Sequence, residues 1–202
     1  EKGKNLNTNH HLLNFKRQLI AALAAIFFSA VPVTSVSAFE AVLTNERSGN
    51  VIHVDQNGST TQIIPICNRP RGMVRGPAKT QVTIACSDDH KLVIYNRTTR
   101  TIDSEILAVP GAMNVALHAA SKRLLVTNEG KARASVFDLP SGQLISELPT
   151  GLEPDGIVIT DDGKYIFVAS ENAGLVHVFD GATYKPKEVI RTNLRPRRIA
   201  LL

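Results

Sequence analysis

The sequence predicts an all-β fold built from about four copies of one four-stranded antiparallel unit, and three observations predict it. Runs of about five to seven residues rich in Val and Ile alternate with turns made from Gly, Pro, Asn and Asp, the pattern of short antiparallel strands. The Asp or Asn closing the middle strand of each copy, Asp55 in VIHVD, Asn96 in LVIYN, Asp138 in ASVFD and Asp180 in VHVFD, recurs at spacings of 41, 42 and 42. The connector prolines Pro70, Pro110, Pro154 and Pro196 repeat at 40, 44 and 42, and a lysine opens a strand after a turn at Lys79, Lys122 and Lys164. A period near 42 falls within the range of β-propeller blades. One such sheet hides neither face alone, so the copies must stack side by side about an axis.

Residues 1–38 read as an export signal behind a disordered polar extension. Lys16-Arg17 precede an apolar core from Leu19 to about Val31, and Val36-Ser37-Ala38 supply the small residues at which a signal peptidase cuts. The apolar run falls short of the roughly 20 residues of a comfortable membrane span. The expectation is a periplasmic chain cleaved after Ala38, with no membrane contact beyond the signal. This leader carries four bases (Lys2, Lys4, Lys16, Arg17) and one acid (Glu1), so the formal net charge of +5 drops to +2 without it. Nucleic-acid binding is not inferred from so small an excess. The absence of Trp argues against the Trp-Asp type of blade.

From Phe39 the strands follow in order. AVLTN, VIHVD and TTQIIPI are the first three, with Gln56-Asn57-Gly58-Ser59 a hairpin turn between the last two. The connector CNRPRG leads to MVRGP, and VTIAC, KLVIYN, DSEILAV and MNVALHA repeat the set. RLLVTN, ASVFD, QLISELP and GIVIT make the third copy, and YIFVAS, LVHVFD, KEVIRT and RRIALL the fourth. The units run about 39–77, 78–119, 120–161 and 162–202, each reading as second, third and fourth strands of one blade and the first strand of the next. Either RRIALL closes a four-bladed ring beside AVLTN, or the chain is part of a larger ring; the stop at Leu201-Leu202 in mid-strand favours the larger ring.

The segments TNERSGNVIHVD, SENAGLVHVFD and LEPDGIVITDDGKYIFVAS resemble the YVTN-type β-propeller repeat proteins. NRPRGM, ACSDD, LEPDG and LRPRR are most similar to the propellers associated with PQQ-dependent catabolism. That resemblance covers 39–202 and implies an exported protein of about seven blades when complete. It further implies a place beside quinoprotein alcohol dehydrogenases, or their electron-transfer partners, with no catalytic residues to carry over. The chain departs from the pattern at Val109-Pro110-Gly111-Ala112, and at Ala78-Lys79 and Ser121-Lys122 where Asp-Gly-Lys would stand.

Strands in an antiparallel blade alternate direction, so the loops after second strands and the connectors after fourth strands open on one face of the disc. Glu46, Ser87, Glu129 and Glu171 come from the former, and Arg69, Arg71, Glu153, Asp155, Arg195 and Arg197 from the latter. The expected site is a charged funnel at this mouth, with Glu46, Glu129, Asp155 and Glu171 around it and the four arginines as contacts for an anionic or polar partner. The competing expectation is that the arginines only pair with neighbouring carboxylates.

Cys67 and Cys86 lie 19 apart. An oxidising compartment favours a bridge, whereas an outermost strand and an interior strand sit far apart for one; a disulfide and two thiols both stand open. No haem-attachment motif, zinc-type spacing, G-x-S-x-G elbow, phosphate loop or EF-hand is present, so neither cofactor nor metal is expected. His53, His90, His118 and His177 read as structural or surface residues. The function expected is a non-catalytic binding or scaffold propeller. The alternatives are a lactonase-like or haem-d1-type enzyme, or an adhesive repeat array.

Overall fold

The computed structural model describes residues 40–107, 109–139 and 141–202; the export-signal reading lies outside them. Among the described residues, fifteen strands form four antiparallel sheets. The first sheet holds β1 (Ala41–Asn45), β2 (Asn50–Val54) and β3 (Thr60–Pro65). The second holds β4 (Pro70–Arg75), β5 (Gln81–Cys86), β6 (Lys91–Asn96) and β7 (Thr101–Leu107). The third holds β8 (Ala112–His118), β9 (Arg123–Asn128), β10 (Arg133–Asp138) and β11 (Leu144–Pro149). The fourth holds β12 (Pro154–Ile159), β13 (Tyr165–Ser170), β14 (Leu175–Asp180) and β15 (Pro186–Arg191). A single 3-10 turn at Glu129–Lys131 is the one helical element among the described residues. This is a partial β-propeller of about four blades, the fold class that the repeats predict.

The repeat and the blade are out of phase by one strand. A sequence unit runs from a second strand through to the first strand of the following sheet, so the covalent repeat ties each blade to its neighbour. Strands β5, β6, β9 and β10 are buried on both faces, while β3, β7 and β15 are mostly exposed outer strands. Alternation along a doubly buried strand sends successive side chains into different interfaces. Leu124 and Val126 pack with Leu92, Ile106 and Phe137 between the second and third sheets. Leu125, one residue on, packs with Ile157, Ile166, Val168 and Phe179 between the third and fourth. Val51, Ile84, Val93 and Tyr95 fill the interface of the first two.

The aspartates and asparagine that mark the period have a local task. Asp55 accepts hydrogen bonds from the Asn57 and Ser59 amides, Asn96 from Thr98 and Thr99, Asp138 from Ser141, and Asp180 from Ala182 and Thr183. Each side chain folds the outer hairpin turn about itself. The left-handed residue of that turn recurs at Gly58, Arg100, Gly142 and Tyr184, every 42 residues.

RRIALL departs from expectation: residues 192–202 carry no strand. A strand needs a ladder partner, and none of the described residues supplies one. The segment nevertheless passes beside β12, since a Cβ on Gly156 would lie 2.5 Å from the Arg197 carbonyl oxygen. Gly72 on β4 meets Asn114 on β8 in the same way, with Asn114 Oδ1 at 2.5 Å from such an atom. Successive inner strands approach too closely there for a side chain on the facing residue.

Candidate functional site

Each inner strand begins with an irregularity. Pairing slips between Pro70 and Met73, between Ala112 and Val115, and between Pro154 and Ile157. A bulge of this kind bends the strand and re-aims its side chains, here those of Arg71, Met113 and Asp155. The extra backbone is held by hydroxyls from the adjoining blade: Thr44 Oγ1 donates to the Arg71 carbonyl and Thr127 Oγ1 to the Asp155 carbonyl, both at 2.9 Å. Arg71, Met113, Asp155 and Arg197 stand 42 apart and line one cavity of about 670 Å³.

Of the residues the sequence places at the mouth, Glu46, Arg71, Glu129, Glu153, Asp155, Glu171, Arg195 and Arg197 line this cavity. Arg69 is set aside from it, in a shallow neighbouring hollow with Arg47, Asn68 and Asp88 that shares Glu46. Met113, Asn114 and Arg198 also line the cavity. Met113 and Asn114 escape a search for charge, though the 42-residue register from Arg71 and Gly72 points straight to them.

The charges are organised blade by blade. Between the first and second sheets, Glu46 accepts from Arg69 at 2.9 Å and Arg71 at 2.6 Å. After the fourth sheet the same pattern returns, with Glu171 bonded to Arg195 and, at 2.8 Å, to Arg197. Between the second and third, the equivalent positions are Ser87, Gly111 and Met113, all neutral. Between the third and fourth they are Glu129, Glu153 and Asp155, all acidic. Asp155 is buried, and its carboxylate has no hydrogen-bond or ion-pair partner among the described residues. The mouth thus carries two sectors in which two arginines share one glutamate, one neutral sector, and one acidic sector whose Glu153 and Asp155 charges act on Arg197.

Titration follows this layout. The Arg69 hydrogen bond, against some burial and with help from Arg71, holds the Glu46 carboxyl below its usual range. Arg197 does the same for Glu171, and Glu171 in turn raises the Arg197 guanidinium. Pairs as exposed as Glu46 with Arg69 add at most about 1 kcal/mol each. Glu171 is buried, so its charge depends on its two arginines more heavily.

Beside the mouth, Cys67 and Cys86 form a disulfide, with Cα atoms 5.9 Å apart. The objection from strand positions fails because Cys67 lies beyond β3, on a connector already turning inward. The Cys67 amide donates to the Gly49 carbonyl, and Asn68 is tied to Asp89 across the blade boundary. Pro70 then pairs with Cys86 itself. The bridge staples the first blade to the second.

None of His53, His90, His118 and His177 lines the mouth cavity. His53 is fully buried between Glu40 Oε1 (2.7 Å) and the Tyr95 hydroxyl (2.8 Å), and Arg100 closes on Glu40 at 3.0 Å. His177 Nε2 accepts the Gly151 amide at 2.8 Å, and burial lowers its pKa. No three carboxylate, imidazole or thiol groups among the described residues converge as a metal shell would require.

Comparison with known proteins places these observations. Residues 78–198 match the family model described as the cytochrome D1 heme domain. No curated protein matches the chain. Among solved structures, hydrazine synthase from Kuenenia stuttgartiensis is similar over 64% of this chain and 38% of its own, at 24% identity and a TM-score of 0.59. A functionally unknown protein from Desulfotomaculum acetoxidans is similar over 81% of this chain and 56% of its own, at 16% identity and a TM-score of 0.68. The chain spans less than two thirds of the length of either, and both likenesses concern the fold.

Proposed function

We propose, since this chain belongs to the cytochrome D1 heme domain family, that it is a binding propeller which presents its charged mouth to a partner and carries out no chemistry there. The observation that carries this reading is the assembly of eight sequence-predicted charged residues around one cavity. Arg69 and Glu153 add support, because both hold left-handed backbone, with φ of 54° and 53°, where the equivalent residue is Gly111. A non-glycine residue there costs roughly 1–2 kcal/mol, so the charged side chains are retained against a conformational penalty.

In its finer form the proposal makes the chain an exported periplasmic scaffold beside a quinoprotein alcohol dehydrogenase. The resemblance of NRPRGM and LRPRR to propellers of PQQ-dependent catabolism supports it. The test is capture of a quinoprotein dehydrogenase from periplasmic extract by the tagged chain. Capture should be lost in the double variant Arg71→Glu, Arg197→Glu; capture undiminished by that variant would reject the arginines as contacts.

The family match favours one second reading, a haem-holding propeller. Arginines suit the carboxylates of a haem, yet Glu46 and Glu171 already engage Arg71, Arg195 and Arg197. The lining offers no imidazole, thiolate or phenol to iron, and the thioethers of Met73 and Met113 are its only sulfur donors. These residues do not fit a haem well, and no step is derived through one. Titration with haem, watched for a Soret band, separates the two readings.

A further inference from the structure

On the face opposite the mouth, the geometry points to a second site, a Ser121–His118 nucleophile–base pair suited to acyl transfer from small esters. His118 ends β8 and Ser121 lies in the turn that follows. Ser121 Oγ stands 2.6 Å from His118 Nδ1, and His118 Nε2 stands 3.1 Å from the Asp161 carbonyl oxygen. A carbonyl can only accept, so Nε2 of the imidazole carries the proton. In the neutral ring Nδ1 is then the acceptor, and the Ser121 hydroxyl donates to it. This is the arrangement of an activated hydroxyl: nucleophile bonded to base, base oriented by a third group.

Two further contacts separate the pair from an ordinary turn hydrogen bond. The Asp161 carbonyl belongs to the next blade, 43 residues away. Gly163 presses on the imidazole, where a Cβ would lie 2.8 Å from Cε1. The ring is therefore held by its own turn and by the neighbouring blade, whereas a hydrogen bond serving the turn alone needs neither contact.

Both side chains line a cavity of about 310 Å³. Ile159 and Tyr184 give it an apolar wall sized for a short acyl group. Arg123, anchored by Asp138 at 2.5 Å, also lines it and offers its other N–H groups to an oxyanion. In the step, Ser121 Oγ bonds to the ester carbonyl carbon and its proton passes to His118 Nδ1. The carbon–alkoxide bond then breaks, and the departing alcohol takes that proton. Water, deprotonated by the same nitrogen, attacks the acyl carbon and restores Ser121 with release of the carboxylic acid.

The test uses the full chain with diisopropyl fluorophosphate and 4-nitrophenyl acetate. Expected are a diisopropylphosphorylated Ser121 peptide in the mass spectrum and a stoichiometric burst of nitrophenol. Ser121→Ala should lose both, and His118→Gln should slow labelling about 10²-fold or more. Ser121 is exposed and His118 half-buried, and an unchanged circular dichroism spectrum certifies the fold. A label on another residue, no label at all, or a burst that survives Ser121→Ala would overturn the assignment.

Discussion

Burial holds the His177 imidazole below its ordinary pKa of 6.5, and its Nε2 accepts the Gly151 amide, a role that protonation would end. Below that ordinary value the unfolded chain takes up a proton which the folded chain refuses. Stability from this group is therefore full above about pH 6.5 and is lost as pH falls toward the folded-state pKa. Urea midpoints measured from about pH 7.5 down to 5.5 should fall for the native chain, and His177→Gln should flatten that part of the slope. At Gly156 the limit is space. A Cβ would sit 2.5 Å from the Arg197 carbonyl oxygen, a backbone atom that cannot step aside alone. Gly156→Ala should cost about 1–3 kcal/mol in chemical denaturation and displace Arg197 from Glu171. The anchoring Asp residues could be picked out of the sequence because their turns demand them. The burial of Asp155 without a partner could not, because a residue's surroundings are set by chain segments far from it in sequence.

At the scale of elements, the connector between β3 and β4 carries the most consequence. It turns inward early, which brings Cys67 to Cys86 and Arg69 and Arg71 to Glu46. The bridge closes a loop with a sequence separation of 19, for which chain entropy alone corresponds to about 3 kcal/mol. The Cys67→Ser, Cys86→Ser double variant should lose roughly that much in guanidinium denaturation, and adding reductant to the native chain should reproduce the loss. Thiols free in the oxidised native chain, counted with Ellman's reagent, would contradict the bridge. Strand positions were readable from Val- and Ile-rich runs, but the bulges at Arg71, Met113 and Asp155 were not. Bulges arise where an inner strand must bend to meet two neighbours, and no local preference of Pro-Arg-Gly or Pro-Asp-Gly announces that. RRIALL has the residues of a strand and lacks a partner; β-structure is completed by pairing and not by propensity.

For the molecule as a whole, stability is distributed over the interfaces between sheets. Leu124 and Leu125 are adjacent and fully buried, yet they belong to different cores. Each truncation to Ala should cost about 2–5 kcal/mol. Hydrogen exchange should show protection lost on opposite sides of the third sheet, β5 and β6 for Leu124→Ala and β13 and β14 for Leu125→Ala, because blades interact chiefly with their neighbours. Equal loss in both directions from either variant would mean that the sheets open together.

What the amino-acid sequence determined by itself was the repeating unit: its 42-residue period, the strands, the turn anchors and the face on which charged loops gather. All of these follow from short-range rules, the alternation of strand direction and the need of a two-faced sheet for neighbours. Only the tertiary structure decided which charges meet. It paired Glu46 and Glu171 with arginines, left Glu129, Glu153 and Asp155 together, joined Cys67 to Cys86 and set Asp161 against His118. The reason is geometric. Equivalent positions share a height about the axis, but what stands there depends on the packing distance between blades, and that distance is written in no single repeat.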